Sequence, residues 1–110
     1  MDEQTVGPDL VLSTDRDGGR AILTVRGELD AYSSPGLEDQ VSRLIADQVE
    51  EVILDLSETA FLDSSGLRAI LTAQRRLGEN HGDLKLRTPS EPVTRLLEIT
   101  GLTDHFTIES

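Results

Sequence analysis

Between Glu50 and Thr88 the hydrophobic period of this chain changes twice, and that alternation limits its fold more than any other feature. EEVILDLS (50–57) carries the unbroken apolar core VIL, as a strand covered on both faces would. From about Ser64 to Gly78, Leu67, Ile70, Leu71 and Leu77 fall on one side of a helix, while Arg68, Arg75 and Arg76 lie away from that seam. GENHGD then reads as a turn, and LKLRT (84–88) returns to the strand period. Strand–helix–strand units of this kind build a mainly parallel sheet layered with helices.

The flanks extend the pattern. DLVLSTDR (9–16) and RAILTVRG (20–27), separated by DGG, form an antiparallel hairpin. After the loop ELDAYSSP, a helix is expected with Ser34 as its N-cap and Pro35 in its first position, and Leu37, Val41, Leu44 and Ile45 define its buried stripe. ETAFLD (58–63) reads as a loop. PSEPVTRLLEITG gives a third helix capped by Ser90, with Val93, Leu96 and Leu97 inward and Gly101 just past its end. DHFTIE (104–109) closes with a short strand, and residues 1–8 form a frayed, flexible end. The expected order is β-β-α-β-α-β-α-β: an α/β fold with a small mixed sheet of about four to five strands and about three to four helices, one domain with its core at residues 9–109. Only Tyr32, Phe61 and Phe106 are aromatic, so the core is aliphatic.

Several functions are disfavoured on chemistry. The absence of cysteine removes disulfides, thiolate catalysis and Cys-type zinc sites, and fits a reducing, cytoplasmic setting. The acidic start MDEQTVGPDL has no apolar signal region, and no run nears the ~20 apolar residues of a membrane span. A net charge of −11 repels phosphate backbones and anionic lipid, so no nucleic-acid or membrane contact is expected; a basic protein surface is the better electrostatic match. No phosphate-binding loop precedes a helix, and the only lysine is Lys85. The histidines, His81 and His105, and the scattered carboxylates lack metal-ligand spacing; no metal or cofactor is expected.

The remaining constellation is Asp63-Ser64-Ser65-Gly66, where the third strand hands over to the second helix. Asp63 or Ser64 could be a helix cap and nothing more. Alternatively, a serine at the carboxyl edge of a sheet is presented as a chemical target, and free N–H groups of the first turn favour a phosphoryl group. Gly66 costs the helix up to ~1 kcal/mol, which implies a close approach to its backbone. A serine hydrolase is disfavoured because LDSSG lacks the G-x-S-x-G elbow and no histidine lies in a partner motif. The chain is not expected to be an enzyme.

FLDSSGLRAIL (61–71) resembles the signature of STAS domains, and specifically of bacterial anti-sigma factor antagonists. VRGELDAYSS (25–34) resembles the family's G-E-L-D loop, and VTRLLEITGL (93–102) its third helix. The resemblance implies a phosphorylation-switched binding module that acts in stress-responsive transcription regulation. Its unphosphorylated form would bind an anti-sigma factor that is also a serine kinase of GHKL ATPase type, and so free a sigma factor. Phosphorylation would fall on Ser64, the first serine after Asp63, rather than on Ser65, and a PP2C-like phosphatase would reverse it. The implied docking face comprises Glu28, Asp30, Asp63, Ser64, Ser65, Gly66, Leu67 and Arg68; Arg68 departs from the small or apolar residue common there in the family. The alternative is a constitutive STAS scaffold in a stress-signalling assembly, without a Ser64 switch.

Overall fold

The computed structural model describes residues 2–110. The elements are β1 (Asp2–Thr5), β2 (Leu10–Asp17), β3 (Arg20–Leu29), α1 (Ser34–Ala46), β4 (Glu51–Asp55), β5 (Thr59–Leu62), α2 (Ser64–Glu79), β6 (Asp83–Arg87), α3 (Glu91–Thr100), a 3-10 turn at Thr103–His105, and β7 (Thr107–Glu109). The seven strands form one mixed sheet in the order β1-β2-β3-β4-β6-β7, with β5 paired to β3. β1–β2 and β2–β3 are antiparallel, and the remaining pairs are parallel.

The α/β class and the order of the large elements are as the sequence implies, but the sheet has seven strands where about four to five are expected. Both additions are edge-type pairings that need no hydrophobic alternation. The end read as frayed carries β1, in which Asp2–Thr5 pairs with Val11–Thr14; Met1 lies outside the described residues. Glu3 anchors it, 3.6 Å from Arg26 and 3.5 Å from the Ser13 hydroxyl. The stretch read as the loop ETAFLD contains β5, which continues along the same edge of β3 that β4 occupies further back.

That division of β3 positions everything at the sheet's carboxyl edge. Arg20–Thr24 pairs with β4; Gly27–Leu29 pairs with β5, with a register shift between Gly27 and Glu28. Gly27 sits at φ 114°, and a Cβ there would lie 2.0 Å from the Asp9 carbonyl oxygen, so only glycine fits the bulge. Thr59 ties the start of β5 down, its buried hydroxyl donating to the Val25 carbonyl at 2.8 Å.

Leu37, Val41 and Leu44 of α1 and Leu67, Ala69, Ile70, Ala73 and Leu77 of α2 share one aliphatic core with Leu23, Val25, Val52, Leu54 and Leu86 of the sheet. Of the aromatics only Phe106 joins it. Helices do not cover both faces of the VIL strand. Val52 and Leu54 point into the core, while Ile53 lies on the opposite face, in register between Ile22 and Lys85. Ile53 is nonetheless 1% exposed, and beside it in the sheet Lys85 reaches Glu51 at 3.5 Å. Arg20–Glu51 (3.3 Å) and Arg87–Glu109 (3.0 Å) continue this charged surface. α3 adds Val93 and Leu97 to the core, and the Ser90 hydroxyl donates to the Thr59 carbonyl at 2.6 Å, joining α3 to β5 instead of capping its own helix. Gly101 ends α3 in the left-handed region, φ 73°.

Candidate functional site

β3 and β5 end side by side, at Leu29 and Leu62, and each leads into the start of a helix. The Asp63 N–H lies 3.4 Å from the Leu29 carbonyl, which brings the 28–30 segment against the first turn of α2. Glu28, Asp30, Asp63 and Ser64, expected together from sequence, are therefore neighbours across two strand ends.

On the first side the loop is closed by its own polar groups. Asp30 Oδ1 accepts from the Tyr32 N–H and the Ser33 N–H, both at 3.0 Å. The Ser33 hydroxyl accepts the Asp30 N–H at 3.0 Å and donates to the Glu28 carbonyl at 2.9 Å. The Ser34 N–H and hydroxyl both donate to the Asp30 carbonyl. The N–H of Ser33 above all, with the Ser33 hydroxyl and the Tyr32 N–H, holds the Asp30 carboxyl below its ordinary value; partial desolvation opposes this. Ser34, expected as N-cap, is the first helical residue, and the N-cap position falls to Ser33, whose hydroxyl serves the loop. Asp30 thus acts as the brace of a turn, and Glu28 is the freely exposed carboxylate of the pair.

On the second side the cap question resolves in favour of Asp63. Its backbone is extended (φ −105°, ψ −175°), and its Oδ1 accepts the Gly66 N–H at 2.9 Å, a normal N-cap bond. Ser64 is then free of that duty. It is exposed, it is the first residue of α2, and its hydroxyl has no protein partner among the described residues. Ser65 is half-buried beside it.

Gly66 has a packing reason. A Cβ there would stand 2.4 Å from the Leu29 carbonyl oxygen and 2.6 Å from Leu62 Cδ1, so α2 begins directly on the backbone of β3. The close approach inferred from this glycine is thus made by the protein's own chain. Of the residues expected in the docking face, Gly66 is covered by Leu29, and Leu67, 4% exposed, points into the core, because a helix seated on a sheet turns every third or fourth residue inward. They shape the face without forming its surface. Arg68 is exposed and lines an open groove of about 580 Å³ with Leu71, Thr72, Gln74, Arg75 and His105. His105 is fixed there by Gln74, which donates to its carbonyl at 3.1 Å, and by edge contact with Phe106.

Two aromatics at this end were not anticipated as site residues. Tyr32 is 80% exposed in the braced loop, and Phe61, 45% exposed, sits in register beside Glu28. The signal was available: in a chain with three aromatics, Tyr32 falls in a polar loop and Phe61 immediately precedes the LDSSG segment. Exposed aromatics beside unpaired polar groups are the usual composition of a protein-docking surface. Among the described residues no cluster of three or more metal-binding side chains occurs.

The chain is similar to known proteins over most of its length. The STAS domain family model matches residues 12–110. The chain is 34% identical over 96 residues to the anti-sigma-B factor antagonist of Listeria monocytogenes, spanning 87% of this chain and 84% of that one. A crystal structure of an anti-sigma factor antagonist from Mycobacterium paratuberculosis matches with a TM-score of 0.80 at 26% identity, over 91% of this chain and 85% of that one. The anti-sigma factor antagonist SpoIIAA in its unphosphorylated form matches with a TM-score of 0.77 at 23% identity, over 90% and 88% of the two chains, a likeness of fold.

Proposed function

Because this chain belongs to the STAS domain, anti-sigma factor antagonist family, we propose that it is a cytoplasmic protein-binding switch. Its unphosphorylated form binds an anti-sigma factor of the GHKL kinase type and thereby releases a sigma factor. The partner phosphorylates Ser64: the Ser64 oxygen attacks the γ-phosphorus of ATP, its hydroxyl proton passes to a base, and ADP leaves. A PP2C-like phosphatase hydrolyses the ester and restores the hydroxyl. The role is regulatory and non-catalytic.

One observation carries this reading. Asp63 takes the capping bond, which leaves the Ser64 hydroxyl exposed and unbonded on a rigid helix start, where a kinase can reach it without unfolding anything. Phosphorylation adds about −1.5 to −2 charges beside Asp63 and near Glu28, at the centre of the docking edge. Burying that charge in an interface opposes binding unless a cation meets it, and a loss of only ~4 kcal/mol weakens a complex about a thousandfold. Tyr32 and Phe61 supply exposed apolar area for the unmodified complex.

The test is intact mass with phosphosite mapping on protein from native cells, in growth and under stress. A form heavier by one phosphoryl group on Ser64, varying with condition, supports the switch. Alongside it, Ser64→Asp weakens binding to the anti-sigma factor by two or more orders of magnitude in calorimetry, whereas Ser64→Ala still binds. A Ser64 that is never modified, with a Ser64→Asp variant that binds normally, would leave a constitutive scaffold as the function.

A further inference from the structure

Arg68 follows Ser64 by one helical turn. Residues four apart on a helix have Cβ atoms about 5–6 Å apart, so Arg68 stands within reach of Ser64 on α2, although in the unmodified protein it lines the groove further along that helix. The order also matters: an anion followed by a cation four residues later is the favourable arrangement of such a pair. Arg68 is exposed and forms no ion pair among the described residues, whereas Arg75 pairs with Glu79 at 3.5 Å and Arg76 donates to the Ser42 hydroxyl at 2.7 Å. The other charges at this edge, Glu28, Asp30 and Asp63, are all negative. Within four residues of Ser64 along the chain, Arg68 is the one cationic side chain. That cation is a guanidinium, whose planar fork matches two phosphate oxygens.

Resting on the Ser64 phosphorylation proposed above, we infer that Arg68 is the intramolecular counter-cation of phosphorylated Ser64. In the unmodified protein Arg68 lines the groove with Leu71, Thr72, Gln74, Arg75 and His105, and it has no ion pair among the described residues that would keep it from a partner carboxylate. Once Ser64 carries a phosphoryl group, Arg68 turns onto it. The modification then does two things: it adds negative charge at the helix start and withdraws positive charge from the groove one turn away.

The experiment uses full-length protein with phosphoserine installed at position 64 during translation, so it needs no kinase. The second ionisation of the phosphoryl group is followed by phosphorus NMR during a pH titration. Removing a cation disfavours the dianion, so Arg68→Ala raises that midpoint by about 0.15–0.4 pH units. Arg68→Lys restores part of the shift, and Arg75→Ala, two turns further on, leaves the midpoint in place. Circular dichroism checks that each variant is folded; Arg68→Gln replaces Arg68→Ala if that variant is not. An unmoved midpoint in folded Arg68→Ala, or an equal rise in Arg75→Ala, overturns the inference, since the second result would reflect the general surface field. Absence of phosphate on Ser64 in cells is a separate result: it removes the switch but leaves the pairing measurable.

Discussion

α1 opens on Ser33-Ser34 and α2 on Ser64-Ser65; an aspartate precedes each pair, and a glycine and a leucine follow it closely, as DAYSSPGL and DSSGL. The first pair is buried, each serine 5% exposed, with every hydroxyl spoken for by the Asp30 turn. Among the described residues the second pair makes no hydrogen bond through its side chains, and Ser64 is exposed. The difference comes from where the aspartate stands. Asp30, three residues ahead of Ser33, turns back to bind the loop and draws the serines into it; Asp63, adjacent to Ser64, caps the helix itself and releases them. One start is closed by its own loop, and the other leaves the Ser64 hydroxyl outside the capping bond.

The largest effect should fall on the glycines that let each helix sit down. Gly66→Ala should destabilise the fold by about 2–3 kcal/mol in urea unfolding, because its Cβ would meet the Leu29 backbone. Gly36→Ala should cost less, since the atoms its Cβ would meet belong to the Val6 side chain, which can shift. If the two cost the same, α2 is not seated as described. Ser33→Ala comes next, at about 1–3 kcal/mol, for it leaves the Asp30 N–H and the Glu28 carbonyl without partners; Ser64→Ala should stay within about 0.5 kcal/mol. Equal losses at the two serines would erase the contrast. Asp63→Ala should remove about 1 kcal/mol of helix capping, much of it recovered by Asp63→Asn.

The smallest effect is a pH dependence. The folded Asp30 carboxyl titrates below its ordinary 3.8, so its contribution is complete above that value and is lost as pH falls through the lower folded value. Stability measured from pH 5 downward should therefore fall more steeply in the wild type than in Asp30→Asn. Identical slopes would mean that the Ser33 and Tyr32 N–H groups do not hold the carboxylate.

How much was legible from sequence follows the range of the forces involved. The three helices, the 20–27 and 50–57 strands and the left-handed end of α3 at Gly101 were readable, because periodicity and caps are local properties. β1 and β5 were not, since an edge strand is defined by the backbone it pairs with, and neither DEQT nor TAFL carries that information. Gly66 was rightly marked as a point of close approach, but the approaching atom, the Leu29 carbonyl, came from 37 residues away in a chain read one segment at a time.

By itself the sequence determined the α/β layering, the aliphatic core, the acidic surface and the family signature around Asp63 and Ser64. Each is a matter of residue type and spacing. Only the tertiary structure decided which serine is free, which aspartate braces and which caps, why Leu67 is core and Arg68 surface, and that β3 and β5 end together. Those depend on which groups from distant segments compete for the same hydrogen bonds and the same volume, and that competition exists only once the chain has packed.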